Sequence, residues 1–263
     1  MYDFTYHRAS SVADAVSQVG GADDGSFLAG GHTLLPTLKL RLAQPSDLVD
    51  LQGIGDLKGI SASGDGVTVK AMTTHASVAG SADVQKAIPA LASLAGGIGD
   101  PHVRARGTIG GSIANNDPAA DYPAAVVGLG ATVKTDKREI AGDDFFTGMF
   151  DTALDAGELI TEVSFPAADN AAYYKFKNPA SRFAIVGVFV AQTGGGVRVA
   201  VTGAAPCVFR VTEMEAALAR NFSADAIKDI SVPEDGLNSD IHAQADYRAH
   251  LVNVCARRAV EAC

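Results

Sequence analysis

Two pairs of adjacent glycines, far apart in the chain, constrain this sequence more than anything else in it. The first lies in Leu28-Ala29-Gly30-Gly31-His32-Thr33-Leu34-Leu35-Pro36. The second lies in Thr108-Ile109-Gly110-Gly111-Ser112-Ile113-Ala114-Asn115-Asn116-Asp117-Pro118. Glycine has no Cβ, so a pair reaches left-handed backbone conformations without steric cost and can turn successive N–H groups into one concavity. Such a concavity suits an anion, and more so where a helix begins beside it. Neither stretch contains a nucleophile beside a base. Both read as places where backbone, rather than side-chain chemistry, meets a ligand.

The first stretch has the stronger local case. Phe27-Leu28-Ala29 reads as the end of a strand, and Thr33 is placed to cap a helix whose apolar stripe is Leu34, Leu35, Leu38 and Leu42. Pro36 falls in its first turn, where a missing N–H costs little. No acidic residue occurs from Ala29 to Gln44, whereas His32, Lys39 and Arg41 do. A single glycine pair between strand and helix is equally consistent with a plain turn. Two such loops in one chain make a bridging diphosphate the sharper reading. Arg104 and Arg106 bring positive charge to the second.

The 263 residues suffice for one large domain or two. The 47% apolar and 19% charged fractions are those of an ordinary globular protein. A net charge of −9 excludes the basic face of a nucleic-acid binder. Cys207, Cys255 and Cys263 are too few and too scattered for a zinc or iron–sulfur centre, so no metal site is expected. With no apolar leader-like start and no transmembrane-length run, the expected compartment is the cytoplasm. Signatures of P-loops, dinucleotide βαβ units, zincins and α/β-hydrolases are all missing.

Along the chain, Ser11-Val12-Ala13-Asp14 opens a short helix ending at Gly20-Gly21. Leu48-Val49-Asp50-Leu51 reads as a strand, and residues 60–69 read as a hairpin turning at Asp65-Gly66. Thr74 caps a helix; another runs through Ile88, Leu91 and Leu94, and Asp100-Pro101 breaks it. Ala119 to Leu129 reads as a buried helix stopped by Gly130, with strands near 131–135 and 159–165. A boundary falls near Pro166. Beyond it, Tyr173–Lys177, Phe183–Ala191 and Val197–Thr202 alternate like strands, followed by helices over 212–220 and 247–262.

These residues together resemble the FAD-binding subunit of the molybdenum hydroxylases, the xanthine dehydrogenase family, particularly its aerobic carbon monoxide dehydrogenase branch. Ala29-Gly30-Gly31-His32-Thr33 and Thr108-Ile109-Gly110-Gly111 match its double-glycine motifs. Tyr6-His7-Arg8, Lys39-Leu40-Arg41-Leu42, Leu48-Val49-Asp50-Leu51, Ala71-Met72-Thr73-Thr74, Asn115 through Pro123 and Gly157-Glu158-Leu159-Ile160 match as well. The likeness spans nearly the whole chain. It implies an α+β fold: a two-part FAD-binding domain of the vanillyl-alcohol-oxidase (PCMH) type over 1–166, with parts of about 1–55 and 56–166. A smaller domain of three antiparallel strands and helices follows over 167–263.

The resemblance also implies a site. Ala29, Gly30, Gly31, His32, Thr33 and Leu34 and Thr108, Ile109, Gly110 and Gly111 hold the FAD pyrophosphate, and Ala114 and Asn115 line the cofactor. Asp117 bonds its ribose or adenine side, although capping a helix near Pro118 is also open to it. Lys175 supplies a cation near the ring, as Lys177 does less well; a solvated strand face is the other reading of both. Phe183 stands where carbon monoxide dehydrogenases carry a flavin-stacking tyrosine. None of these residues is expected to be catalytic. Molybdopterin and [2Fe–2S] clusters belong to large and small partner subunits, in a dimer of heterotrimers. Substrate and terminal acceptor are left open, as are a stand-alone flavin oxidoreductase and a non-enzymatic assembly module.

Overall fold

The computed structural model describes residues 1–263. Its first layer is a small parallel sheet. β1 (Thr5–Arg8), α1 (Val12–Gly20), β2 (Gly25–Leu28), α2 (Leu34–Lys39) and β3 (Asp47–Asp50) follow one another, with strand order β1-β3-β2. Ser11 caps α1, its hydroxyl accepting from the Asp14 N–H at 3.1 Å. Ala15 and Val19 of α1 pack with Val49 and Leu51 in the core of this layer. Tyr6 donates to the Asp50 carboxylate at 2.7 Å, and His7 pairs with Asp47 at 2.6 Å, so β1 is pinned to β3 by side chains as well as by the ladder.

The second layer starts with β4 (Ile60–Ser63) and β5 (Gly66–Lys70). Five short helices follow: α3 (His75–Gly80), α4 (Ala82–Ala87), α5 (Pro89–Gly96), α6 (Pro101–Arg106) and α7 (Ile109–Asn115). Then come α8 (Tyr122–Gly128), β6 (Thr132–Thr135), β7 (Glu139–Ala141), α9 (Gly142–Phe145), β8 (Phe146–Gly148), β9 (Asp151–Thr152) and β10 (Ile160–Pro166). The sheet runs β4-β5-β10-β6-β7 and is antiparallel throughout. Every residue of α8 is buried, as its small apolar sequence requires.

Beyond Pro166 the chain enters a second antiparallel sheet: β11 (Ala168–Lys177), β12 (Ala184–Thr193), β13 (Gly196–Thr202) and the two-residue β14 (Phe209–Arg210), in that order. α10 (Thr212–Arg220) and α11 (Ala245–Ala262) cover one face, burying Met214, Leu218, Leu251 and Val252 against Val188 and Val201. The other face presents Phe189 and Ala191 to the core that contains α8. β12 is therefore buried on both sides and reads as an unbroken apolar run.

Several local expectations shift. The β4–β5 turn is Gly64-Asp65, one residue earlier than expected, because Gly66 pairs with Pro166. A methyl at Gly66 would lie 2.0 Å from the Phe165 carbonyl oxygen. Asp100-Pro101 does more than break a helix: the Asp100 carboxylate accepts from the N–H groups of His102 (2.7 Å) and Val103 (3.0 Å) and starts α6. Arg104 and Arg106 thus sit on a helix. The buried helix begins at Tyr122, later than Ala119. α2 ends at Lys39, and of its expected stripe only Leu38 is buried, while Leu42 is 74% exposed.

Glu158, in the loop before β10, has a wholly covered side chain. It takes hydrogen bonds from Arg138 (2.9 Å), Thr135 (2.7 Å) and the Asp155 N–H (2.8 Å). The Arg138 bonds, helped by the Asp155 and Thr135 donors against the cost of burial, pull its carboxyl down to about 2. A carboxyl lowered on folding stabilises above its ordinary value and loses that contribution as the pH falls toward the folded one. Glu158→Gln is therefore expected to be less stable than the parent at pH 6, with the gap narrowing from pH 4.5 to pH 3. Denaturant unfolding at several pH values measures this; a constant gap contradicts it.

Candidate functional site

The first glycine motif is the loop from β2 to α2. Gly31 is left-handed (φ +74°), so the chain reverses there as only glycine does cheaply. Thr33, expected to cap α2, makes no side-chain cap; its carbonyl accepts from the Thr37 hydroxyl instead. The consequence is an unbroken run of free donors. The N–H groups of Ala29, Gly30, Gly31, His32, Thr33 and Leu34 donate to no acceptor in the protein. A run of this kind, followed by a helix, is a backbone cradle for an anion.

The second motif is built differently. Gly110 and Gly111 lie inside the first turn of α7, not in a loop, with Thr108 as cap accepting from the Gly111 N–H at 3.2 Å. The Ile109 N–H donates to the Thr73 carbonyl (3.1 Å) and the Gly110 N–H to the Ala71 carbonyl (2.9 Å). These donors are used up, and the Ile109 side chain is wholly buried. What the second pair supplies is closeness. A methyl on Gly110 would stand 2.7 Å from the Ala71 Cβ, and one on Gly111 would stand 3.4 Å from the Ala29 Cβ of the first loop. One donor here stays free: the N–H of Thr108, a residue only 3% exposed.

The two motifs touch through a third glycine position. A methyl on Gly30 would lie 2.2 Å from the Arg106 carbonyl oxygen and 2.9 Å from the Gly107 Cα. So Ala29–Leu34, Thr108 and Gly111 form one seam, bordered by α6 and its arginines. Arg104 ties that helix back, donating to the carbonyls of Ile98 (2.9 Å) and Gly99 (3.2 Å). His32 and Arg106 are exposed beside the seam.

The remaining expected residues lie as follows. Ala114 and Asn115 close α7, the first exposed and the second half-buried. Asp117 forms a turn with the Ala119 N–H (2.8 Å) and caps no helix. Lys175 is held by Asp121 at 2.9 Å and is largely covered; Tyr173 donates to the other oxygen of Asp121 at 2.6 Å. Burial raises the Asp121 carboxyl above the ordinary range, while Lys175 and Tyr173 oppose that rise. Phe183 is 57% exposed at the β11–β12 turn, and Lys177 is exposed. Sequence reasoning gave Asp121 no role. The available signal was a lone acid directly before the apolar run Tyr122–Leu129.

Comparison with known proteins places this architecture. The family model described as the FAD binding domain in molybdopterin dehydrogenase matches residues 2–168. The chain belongs to that family. It is 34% identical to the carbon monoxide dehydrogenase medium chain of Hydrogenophaga pseudoflava, over 98% of this chain and 96% of that one. It is also 34% identical to the nicotine 6-hydroxylase medium subunit of Paenarthrobacter nicotinovorans, over 97% of this chain and 95% of that one. The solved carbon monoxide dehydrogenase of Hydrogenophaga pseudoflava superposes with a TM-score of 0.89 at 37% identity, covering 99% of this chain and 97% of that one. The chain is a flavoprotein of the molybdenum-containing oxidoreductases.

The residues present fit FAD. Seven backbone donors, those of Ala29 through Leu34 and of Thr108, have no acceptor of their own and lie along a seam too narrow for a Cβ at Gly30. The diphosphate of FAD supplies acceptors of matching charge. Gly30→Ala is expected to part the seam and weaken FAD binding at least tenfold (about 1.4 kcal/mol) with unchanged far-UV circular dichroism. A fluorescence titration of the flavin-free chain reads it, and undiminished affinity counts against this seam.

Proposed function

We propose that this chain is the electron-transfer flavoprotein subunit of a molybdenum hydroxylase complex. The free donors of the Ala29–Leu34 loop carry the reading, set in a chain that aligns over nearly its whole length with medium subunits of such enzymes. In this reading Gly30, Gly31, His32, Thr33, Leu34 and Thr108 hold the diphosphate, while Gly110 and Gly111 let α7 approach it. Bound FAD accepts electrons singly or in pairs and so joins one-electron iron–sulfur carriers to an external acceptor. Electrons enter from the [2Fe–2S] clusters of a small partner subunit, and substrate is oxidised on a molybdopterin-binding large subunit. The assembly is a cytoplasmic dimer of heterotrimers. No helix of the chain is long and apolar enough to cross a membrane.

The domain division follows the change of sheet at Pro166: residues 1–166 bind FAD, and 167–263 form the smaller domain. Ala114 and Asn115 line the cofactor, and Asp117 bonds its ribose or adenine side. Lys175 is neutralised by Asp121 and contributes a dipole rather than a free charge. Phe183 is exposed enough to cover a ring. Equal identity to carbon monoxide and nicotine relatives leaves the oxidised substrate to the partner that binds it.

Two measurements test this reading. The isolated chain is expected to bind FAD tightly, and Gly111→Val, whose branches press on Thr108 and Ala29, is expected to lose most of that affinity while staying folded. The bound flavin is then expected to stay oxidised with carbon monoxide, nicotine or an aldehyde until large and small subunits are added. Reduction by a small substrate without partners would establish a stand-alone oxidoreductase instead.

A further inference from the structure

His75 is the first residue of α3 and is 4% exposed. Its ring lies against Tyr122, with centroids 5.3 Å apart and a tilt of 47°. His75 Nδ1 and the Tyr122 hydroxyl are both enclosed and have no hydrogen-bond partner. The other ring nitrogen, Nε2, also bonds to nothing in the protein, and it is aimed at Gly107: a methyl there would lie 2.5 Å from it. Gly107 is the residue whose Cα meets Gly30. Nε2 therefore lies beside the Gly107 backbone on which Gly30 of the first loop rests.

An imidazole in this place needs an explanation. An unpaired buried polar group costs about 1–3 kcal/mol, and a phenyl ring would fill the same space against Tyr122 without that cost. The tautomer follows from the same physics. Orphaned buried N–H groups are rarer than orphaned acceptors, so the enclosed Nδ1 is the bare nitrogen and the proton sits on Nε2. Burial, reinforced by His32 on the first loop and Arg104 on α6, holds the ring neutral, with its pKa pulled down to about 4. At neutral pH it is a donor without a charge.

We propose that His75 is a further contact of the flavin site, its Nε2–H donating to an oxygen of the FAD diphosphate beside Gly107. The inference rests on the FAD reading above and adds to it a side-chain donor from α3, outside both glycine motifs. It also accounts for Gly107, where any side chain would stand between the imidazole and the seam.

The test uses the full chain freed of flavin, with FAD affinity measured for the parent, His75→Gln and His75→Phe. His75→Phe is expected to bind FAD about tenfold more weakly, and His75→Gln, which keeps an N–H donor, to retain most of the affinity. In parallel, the 15N spectrum of histidine-labelled parent is followed as FAD is added, with the His75 signals identified by their loss in His75→Gln. The Nε2 resonance is expected to be of the protonated type and to move on FAD addition, a response that a merely space-filling histidine would not give. A parent that binds FAD with an unmoved Nε2 signal overturns the proposal and leaves the FAD reading standing. So does equal affinity in a folded His75→Phe. If that variant does not fold, the parent's 15N response decides alone. A folded parent that binds no FAD overturns both readings.

Discussion

The structure depends on one close approach of backbone to backbone. Gly30 rests on the peptide between Arg106 and Gly107 at a separation that admits no Cβ. With the packing of Met72 and Leu159 on Val49 and Leu51, that contact sets the parallel three-stranded layer against the helical second layer, and the free donors of one loop lie beside the capped start of α7. A side chain at Gly30 would cost more than local strain, because it would open the surface that the rest of the site is built along. The positive φ at Gly31 and the packing of Gly110 on Ala71 extend the same economy of space.

The two glycine pairs are not equivalent, though their sequences look alike. The first leaves its N–H groups free and can bind; the second spends its own on Ala71 and Thr108 and can only approach. This division is physically sensible. A helix that must sit at a fixed distance from a ligand needs internal hydrogen bonds to stay there, whereas a loop that grips the ligand must keep its donors unpaired. His75 extends the site from behind by the logic of a polar atom kept where an apolar one would pack as well.

The C-terminal sheet is joined to this assembly by buried polar contacts as well as by the apolar face of β12. Tyr173 and Lys175 reach across to Asp121 at the head of α8, and Arg198 donates to the Val127 carbonyl at the other end of that helix (2.8 Å) and pairs with Asp143. α8, entirely apolar apart from its Tyr122 hydroxyl, is thereby gripped at both ends. A buried ion pair such as Lys175–Asp121 adds little net stability, yet breaking it strands a charge, so it sets the alignment of the two parts more than their strength of association.

Most of the secondary structure was legible in the sequence. Ser11 and Thr74 cap helices as read, and α10 spans Thr212–Arg220 as expected. These are local matters, settled by capping chemistry, turn residues and periodicity within a few positions. The acid-free, glycine-paired stretch Ala29–Gln44 marked the loop whose N–H groups the fold leaves unpaired. What the sequence could not disclose depended on partners distant in the chain. Whether Ile109 and Gly110 offer or spend their N–H groups was decided by Thr73 and Ala71. Asp121 became the partner of Lys175 because Tyr173 and Lys175 arrive from another sheet. His75 became a candidate donor only once Gly107 and Tyr122 closed around it. Hydrogen bonds are short and directional, so which donors remain free is a property of the folded neighbourhood and not of the residue that carries them.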